Sequence, residues 1–344
     1  MKHIATLTGL RGVAALVVFI SHSANESLLP AFLGNGFGQI GVMLFFVLSG
    51  FLMTHLYVHE DFHKDNIKLY IFARIGRVFP LYFLMLILSV VITQFISADS
   101  FYPFTFHEAD KIIRALLLID AKYVFWTIPV EVQFYVVFIA FWGLYKKGFN
   151  VYSLFAFVVI TMMPSIILYN VMAELPKVVT TYSYAFFIGV ITAFLVDKIK
   201  HHASIRKAAN IFGLPSLVLL FINLPEFRVE YNIALFEHYF FKIWVDPVNW
   251  LIIYLLFICA TLNSTSLSIL NTRFFVFLGN ISYGFYLIHY PVIMFFVREV
   301  DLDPLLKLVL AFVVAAGISY ISYQYFEKRV GRKIRNFGKT ARMT

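Results

Sequence analysis

The sequence predicts an all-α integral membrane protein with about ten transmembrane helices, and both its composition and its long apolar segments indicate this class. Of its 344 residues, 61% are hydrophobic and 14% are charged, whereas a soluble domain is about half apolar and about a quarter charged. The apolar residues form runs close to the length of about 20 residues that crosses a bilayer as a helix. Because lipid offers the backbone no hydrogen bonds, such continuous runs predict helices rather than barrel strands.

The predicted spans occupy most of the chain. They are residues 5–25, 36–56, 79–97, 125–145, 149–170, 178–196, 208–224, 247–263, 280–298 and 304–326. The seventh is short and contains Pro215. No internal repeat, flexible linker or long hydrophilic stretch separates the spans, so we expect residues 1–344 to form one membrane domain.

The distribution of basic residues predicts the orientation of the chain. The formal net charge is +9, and the segments on the N-terminal side of the membrane carry 19 Lys and Arg residues against 7 on the opposite side. Cytoplasmic loops of membrane proteins carry such an excess, so both termini are predicted to be cytoplasmic. We expect the basic tail, residues 327–344, to lie beside anionic lipid, and the same rule explains the positive charge without nucleic acid.

The cysteine content limits the kinds of site that the chain can build. Cys259 is the single cysteine. One cysteine excludes an intramolecular disulfide and a cysteine-rich metal centre. We also predict a site without a metal.

Four ionisable residues lie away from the ends of the predicted spans: Arg11, His22, Glu131 and His289. Ionisable side chains are costly inside a bilayer and are functional candidates there by default. Arg11 and His22 are eleven positions apart, which places them on one helix face, about 16 Å apart along the axis. The alternative is two polar residues satisfied within a helix interface. We interpret the pair as lining one path at two depths.

Glu131 and His289 each allow two interpretations. Glu131 is predicted at roughly the depth of His22, where a carboxylate can fix the tautomer of an imidazole that acts as a general base. The alternative is a structural ion pair with a basic residue. His289 either lines the same path or hydrogen-bonds to a neighbouring span, and the sequence favours neither.

A pair of arginines precedes the third predicted span. Arg74 and Arg77 are three positions apart and therefore share one helix face. Guanidinium groups suit phosphate geometry because each offers two parallel donors. With Arg11, they are candidates to hold an anionic ligand that enters from the cytoplasm. The alternative is that they serve as membrane topology signals alone.

Five segments carry a resemblance to a known family. They are Leu10-Arg11-Gly12-Val13-Ala14-Ala15-Leu16 followed by His22; the segment 41–52, from Gly41 to Leu52; Arg74-x-x-Arg77 followed by Pro80 and Tyr82; Trp126-Thr127 through Glu131-x-Gln133-Phe134-Tyr135; and the segment 282–291, from Ser282 to Pro291. In order and spacing they resemble the signature segments of the acyltransferase 3 family of membrane acyltransferases. Met43 stands where many members of that family carry an acidic residue. Larger members carry an appended esterase-like domain, which we do not expect here.

The resemblance implies transfer of an acyl group, usually acetyl, from cytosolic acyl-CoA to a hydroxyl of an extracytoplasmic carbohydrate or glycolipid. It also implies a working set of Arg11, His22, Arg74, Arg77 and Glu131. We expect the donor phosphates near the arginines, with His289 as a further candidate for the donor site. We expect His22 and Glu131 to be catalytic, with His22 acting as a general base or carrying the acyl group transiently.

The resemblance further implies a multi-pass protein of the bacterial cytoplasmic membrane with an active site that opens to the extracytoplasmic side. The competing interpretation is a transporter or flippase of a sugar-lipid or a small anionic solute. A proton-coupled carrier would often show an internal repeat, and the sequence shows none by inspection.

Overall fold

The computed structural model describes residues 5–34, 36–96, 101–153, 177–223 and 246–340, together with residues 156, 158, 160 and 244. Within these ranges all regular structure is helical. The helices are α1 (Ala5–Asn25), α2 (Phe37–Tyr57), α3 (Lys64–Thr93), α4 (Ala109–Leu116), α5 (Thr127–Lys146), α6 (Val179–Ile199), α7 (Ala203–Ile222), α8 (Pro247–Thr261), α9 (Arg273–Glu299), α10 (Pro304–Ile321) and α11 (Lys328–Thr340).

The helices are long and apolar enough to confirm an all-α membrane protein. Eight helical segments of the described chain could each cross a bilayer, and a ninth could do so if α8 and the 3-10 helix Thr265–Asn271, bent by 81°, form one broken span. Each predicted span except 149–170 corresponds to one of these segments. The predicted span 149–170 falls largely outside the described residues, so the total of about ten stays a prediction.

Two helices extend beyond the predicted spans. The helix α3 begins at Lys64, well before the apolar run, so Arg74 and Arg77 lie inside a continuous helix. After α10, a π-helical turn at Ser322–Glu327 leads directly into α11. The basic tail is therefore largely helical, and it packs against α3.

The helices α1 and α9 pack side by side in the same direction. A Cβ atom added at Gly279 would overlap the carbonyl oxygen of Thr8, and one added at Gly12 would overlap that of Phe275. Small residues at such points let the backbones of membrane helices approach closely. Because the two helices run parallel, the contact continues along them to His22 and His289, near their far ends.

The helix α2 joins this pair to α6. A Cβ added at Gly41 would overlap the carbonyl oxygen of Ala14 in α1, and one added at Gly50 would overlap that of Phe186 in α6. The ring of Phe186 stacks in turn on Phe134 of α5, with the ring centroids 4.0 Å apart. The close packing of α1, α2, α6 and α9 fixes the two helices that carry Arg11, His22 and His289.

Candidate active site

Three cavities follow one another through the bundle. The mouth cavity has a volume of about 680 Å³ and lies between α1, α2, α3 and α11. The arginine cavity, about 60 Å³, is lined by Arg11, Arg74, Arg77 and Glu131. The histidine cavity, about 250 Å³, is lined by His22 and by aromatic and amide side chains. Together they form a row that begins near the N-terminal ends of α1 and α11 and runs toward the C-terminal end of α1.

Shared wall residues connect the three cavities. Arg11, Arg74 and Arg77 line both the mouth cavity and the arginine cavity. Val42 and Tyr286 line both the arginine cavity and the histidine cavity. The arginine cavity and the histidine cavity therefore lie next to each other, on either side of these two residues.

Arg74 has a hydrogen-bond donor without an acceptor. Its guanidinium lies 5.8 Å from the ring centroid of Tyr57 and 6.0 Å from that of Tyr70. Its Nε is buried and has no hydrogen-bond partner. A buried donor without an acceptor is costly, so each one in a structure calls for an explanation. Its position in the wall of a cationic cavity fits an anionic ligand.

The arginines have little negative charge close by. Among the described residues, no carboxylate lies within the ion-pair distance of 4.0 Å from Arg74 or Arg77. Glu131 interacts electrostatically with Arg11 across the arginine cavity. One carboxylate against three guanidinium groups leaves this cavity with a net positive charge.

Glu131 is held by two hydroxyl groups. Ser49 Oγ donates to Glu131 Oε1 at 2.6 Å, and Tyr135 Oη donates to the same oxygen at 2.7 Å. Tyr135 lies one helical turn after Glu131 on α5, whereas Ser49 belongs to α2. The carboxylate is thereby fixed at the junction of α2 and α5, facing the arginine cavity.

His22 and His289 form a hydrogen-bonded pair. His22 Nδ1 lies 2.8 Å from His289 Nε2, and the two rings are nearly parallel, with an interplanar angle of 11°. His289 Nδ1 lies 3.0 Å from the carbonyl oxygen of Phe285, one turn earlier on α9. The side chain of His289 is fully buried, whereas His22 lines the histidine cavity.

The partners of the pair determine both tautomers. A carbonyl oxygen only accepts hydrogen bonds, so Nδ1 of His289 donates to Phe285 and, in the neutral ring, Nε2 of His289 accepts. His22 Nδ1 must then donate to His289 Nε2. The remaining nitrogen of a neutral His22, Nε2, carries a lone pair, and it has no hydrogen-bond partner within the described ranges. An imidazole in this state is ready to accept a proton.

This geometry corrects one expectation and resolves another. Glu131 was expected to orient the His22 ring, but the structure places its carboxylate in the arginine cavity and gives His22 Nδ1 to His289. The depth of Glu131 along α5 did not indicate which neighbouring helix it faces. His289 hydrogen-bonds across a helix interface and does not line the arginine cavity, where it was a candidate for donor contact.

Sequence reasoning missed several residues around His22. The ring of Tyr290 lies 4.9 Å from that of His22, and Tyr290 Oη donates to Glu26 Oε1 at 2.9 Å. Glu26 follows His22 by four positions, one helical turn, which is a signal the sequence contained. Gln39 and Trp126 complete a mixed amide and aromatic wall of the histidine cavity, of a kind that suits a polyhydroxylated ligand.

The ionisable side chains of the cavity row are mainly cationic. In the part of the chain that the structure describes, no group of three or more His, Cys, Asp or Glu side chains could hold a metal ion. The polar groups of the row are three arginines, a bound carboxylate and a histidine pair. This set can hold phosphate groups at one end and move a proton at the other.

Known proteins resemble the chain along most of its length. It is 26% identical to "Putative O-acetyltransferase SACOL0978" of Staphylococcus aureus strain COL, over 86% of this chain and 51% of that protein. It is 26% identical to "Putative peptidoglycan O-acetyltransferase YrhL" of Bacillus subtilis strain 168, over 96% of this chain and 55% of that protein. It is 22% identical to "O-acetyltransferase OatA" of Staphylococcus aureus strain NCTC 8325, over 96% of this chain and 58% of that protein.

The chain spans about half the length of the curated relatives it matches. No solved structure matches it significantly. The sequence model of the family described as "Acyltransferase domain" matches residues 4–324. Because this match covers nearly the whole chain, the protein belongs to the acyltransferase 3 family of membrane acyltransferases.

Proposed function

We propose that the protein is a membrane O-acyltransferase that moves an acyl group, acetyl in the first instance, from acyl-CoA to a hydroxyl of a carbohydrate. The observation that carries the proposal is the row of cavities, with phosphate-binding groups at one end and a proton acceptor at the other. Acyl-CoA enters the mouth cavity from the cytoplasm, and the acceptor reaches the histidine cavity from the extracytoplasmic side of the plasma membrane.

The donor site is the arginine cavity with the adjoining mouth. The diphosphate of CoA pairs with Arg74, which has a buried donor without a partner, and with the exposed Arg77. Neither has a carboxylate within ion-pair distance among the described residues. From there to His22 the distance is close to that between Arg11 and His22 along α1, about 16 Å. A long, thin pantetheine arm spans such a distance.

His22 is the proposed catalytic base. Its Nε2 takes the proton of the acceptor hydroxyl while the hydroxyl oxygen attacks the thioester carbonyl. The tetrahedral intermediate collapses, the carbon–sulfur bond breaks, and the proton on Nε2 passes to the departing thiolate. The products are an acyl ester of the carbohydrate and free CoA, and His22 returns to its starting state.

His289 positions that base. By accepting from Nδ1, it holds His22 in the tautomer with a lone pair on Nε2 and stabilises the ring orientation, as a carboxylate does in hydrolase triads. Nε2 of His22 would carry the acyl group in the covalent route. A labelled acyl group that stays on the denatured protein through a hydroxylamine-sensitive bond would distinguish that route from direct transfer.

Glu131 is proposed to act with the arginines. Its carboxylate, fixed by Ser49 and Tyr135, attracts Arg11 and offsets part of the positive charge in the smallest of the three cavities. An uncharged pantetheine arm must pass this point. Glu131 is therefore a positioning residue for the donor rather than a partner of His22.

Amide and aromatic side chains line the histidine cavity, and this lining supports a carbohydrate as the acceptor. The Bacillus subtilis relative is named for peptidoglycan, which makes glycan strands of the cell wall the first acceptor to test. The wall residues support the broader class of hydroxyl-bearing sugars.

The test uses the full chain purified in nanodiscs, with labelled acetyl-CoA and soluble glycan fragments. We expect ester formation by the wild type and a drop of about 10³-fold for His22→Ala, the usual range for losing a general base. CoA binding should be unchanged in this variant because His22 lies outside the donor cavity. Wild-type protein that neither binds CoA nor consumes acetyl-CoA would overturn the proposal and favour a transporter.

A further inference from the structure

The tail helix α11 forms one wall of the mouth cavity. Lys328, Gly331 and Arg335 line the cavity, and their spacing of three and four residues places them on one helix face. A Cβ at Gly331 would overlap the carbonyl oxygen of Gly76, between Arg74 and Arg77. The contact of these two glycines brings the backbone of the tail against the arginine pair.

A second contact holds the far end of the helix in place. The rings of Phe72 and Phe337 meet edge to face with centroids 5.6 Å apart, and a Cβ added at Gly338 would meet the Phe72 side chain. With the glycine contact, α11 is attached to α3 at two points about two turns apart. Such a helix can present side chains at fixed positions.

Positive charges outnumber negative charges in the cavity row. Across the mouth and arginine cavities, the structure describes five Lys and Arg side chains against two carboxylates: Arg11, Arg74, Arg77, Lys328 and Arg335 against Glu131 and Glu327. Lys328 already bonds to Gln324 at 2.9 Å and faces the ring of Tyr323. Arg335 has no carboxylate within ion-pair distance in the described chain. It stands at the outer edge of the site as a cation open to a ligand.

We propose that α11 completes the donor site, with Arg335 contacting the phosphate-bearing nucleotide end of acyl-CoA at the mouth. This inference rests on the proposed function. The helix lies beyond the residues that the family model matches. Arg335 lies seven residues from Lys328, about 10 Å along the helix. Because Gly331 contacts Gly76 and Phe337 contacts Phe72, Arg335 lies alongside α3 near the level of Arg74. Its exposed side chain can therefore reach a phosphate of the same ligand from the tail side of the mouth.

The experiment measures CoA affinity by calorimetry on the full chain in neutral nanodiscs. Arg335→Gln is compared with Lys333→Gln, which also removes one positive charge, but from an exposed position on the opposite face of the same helix. We expect Arg335→Gln to raise the Kd for CoA about tenfold, the size of a lost charge-assisted hydrogen bond, and Lys333→Gln to change it less than twofold. Acetyl transfer from acetyl-pantetheine, which lacks the nucleotide, should be equal in both variants.

Dephospho-CoA separates the phosphates. If Arg335→Gln weakens binding of CoA but not of dephospho-CoA, the contact is to the ribose phosphate; if it weakens both, the contact is to the diphosphate. Either result supports the inference. Equal losses in the two variants would show a general surface-charge effect and overturn it. An unchanged Kd for CoA, with only the response to anionic lipid altered, would assign Arg335 to a lipid headgroup and overturn it too. Neither result affects the proposed function, which fails if the wild type neither binds CoA nor consumes acetyl-CoA.

Discussion

The two ends of the cavity row differ in how well their polar groups are satisfied. At the histidine end, His22 and His289 bond to each other and to the carbonyl of Phe285, so that both tautomers are set without a ligand. At the arginine end, Arg74 keeps a buried donor without a partner, and positive charge exceeds negative charge.

This difference fits the two proposed roles, a preorganised proton acceptor at the histidine end and a ligand-binding site at the arginine end. A group that moves a proton works best when its orientation is fixed before substrate arrives. A group that binds an anion contributes most to the binding free energy when the ligand supplies acceptors for its unpaired donors. The cost of leaving those donors buried without a partner is then removed. Variants at the histidine end should therefore lower kcat, and variants at the arginine end should raise the donor KM.

The largest effect that tests this separation should come from His289. His289→Leu removes the acceptor for His22 Nδ1 without touching a substrate, and we expect kcat to fall about 10²-fold with an unchanged donor KM. His289→Gln keeps an acceptor oxygen within reach and should recover a large part of the activity. The two rates are measured in the same acetyl-transfer assay. Equal losses in Leu and Gln variants would indicate that His289 serves packing alone.

A smaller effect should come from the arginines. Arg74→Gln and Arg77→Gln each remove a bidentate phosphate partner, and we expect the KM for acetyl-CoA to rise ten- to thirtyfold. Lys68→Gln, an exposed position earlier on the same helix, is the control and should leave the KM unchanged. The KM for acetyl-CoA at fixed acceptor concentration gives the result. A fall in kcat with constant KM would contradict the assignment to the donor site.

The smallest effect distinguishes the partners of Glu131. A double-mutant cycle of Glu131→Gln with Arg11→Gln should show coupling of about fivefold in donor Kd, because the two charges interact across one cavity. The cycle of Glu131→Gln with His289→Gln, scored on kcat, should be additive. Strong coupling in the second cycle and none in the first would restore the sequence-based expectation that Glu131 orients His22.

The sequence predicted well what depends on a single helix. The apolar runs located α1 and α9, and the eleven-residue spacing placed Arg11 and His22 on one face of α1. The spacing of Arg74 and Arg77 indicated a shared helix face in the same way. These inferences need the period of one helix and its direction through the membrane.

Contacts between helices were beyond the reach of the same reasoning. His22 meets a residue 267 positions away in sequence, and no periodicity in α1 indicates that partner. The helix α3 begins before its apolar run because its first turns are polar and pack on α11, which hydropathy does not detect. The tail was interpreted from its charge alone, although Gly331 marks the close approach to Gly76.

The central claim is that donor and acceptor enter from opposite ends of one cavity row. Proteoliposomes test it most directly, with all molecules oriented so that the tail helix faces outward. Acetyl-CoA is added outside, and glycan fragments are placed either inside or outside. We predict acetylated glycan when the fragments are inside, and at least tenfold less when donor and acceptor share the outer side. Equal acetylation in the two arrangements would contradict the account.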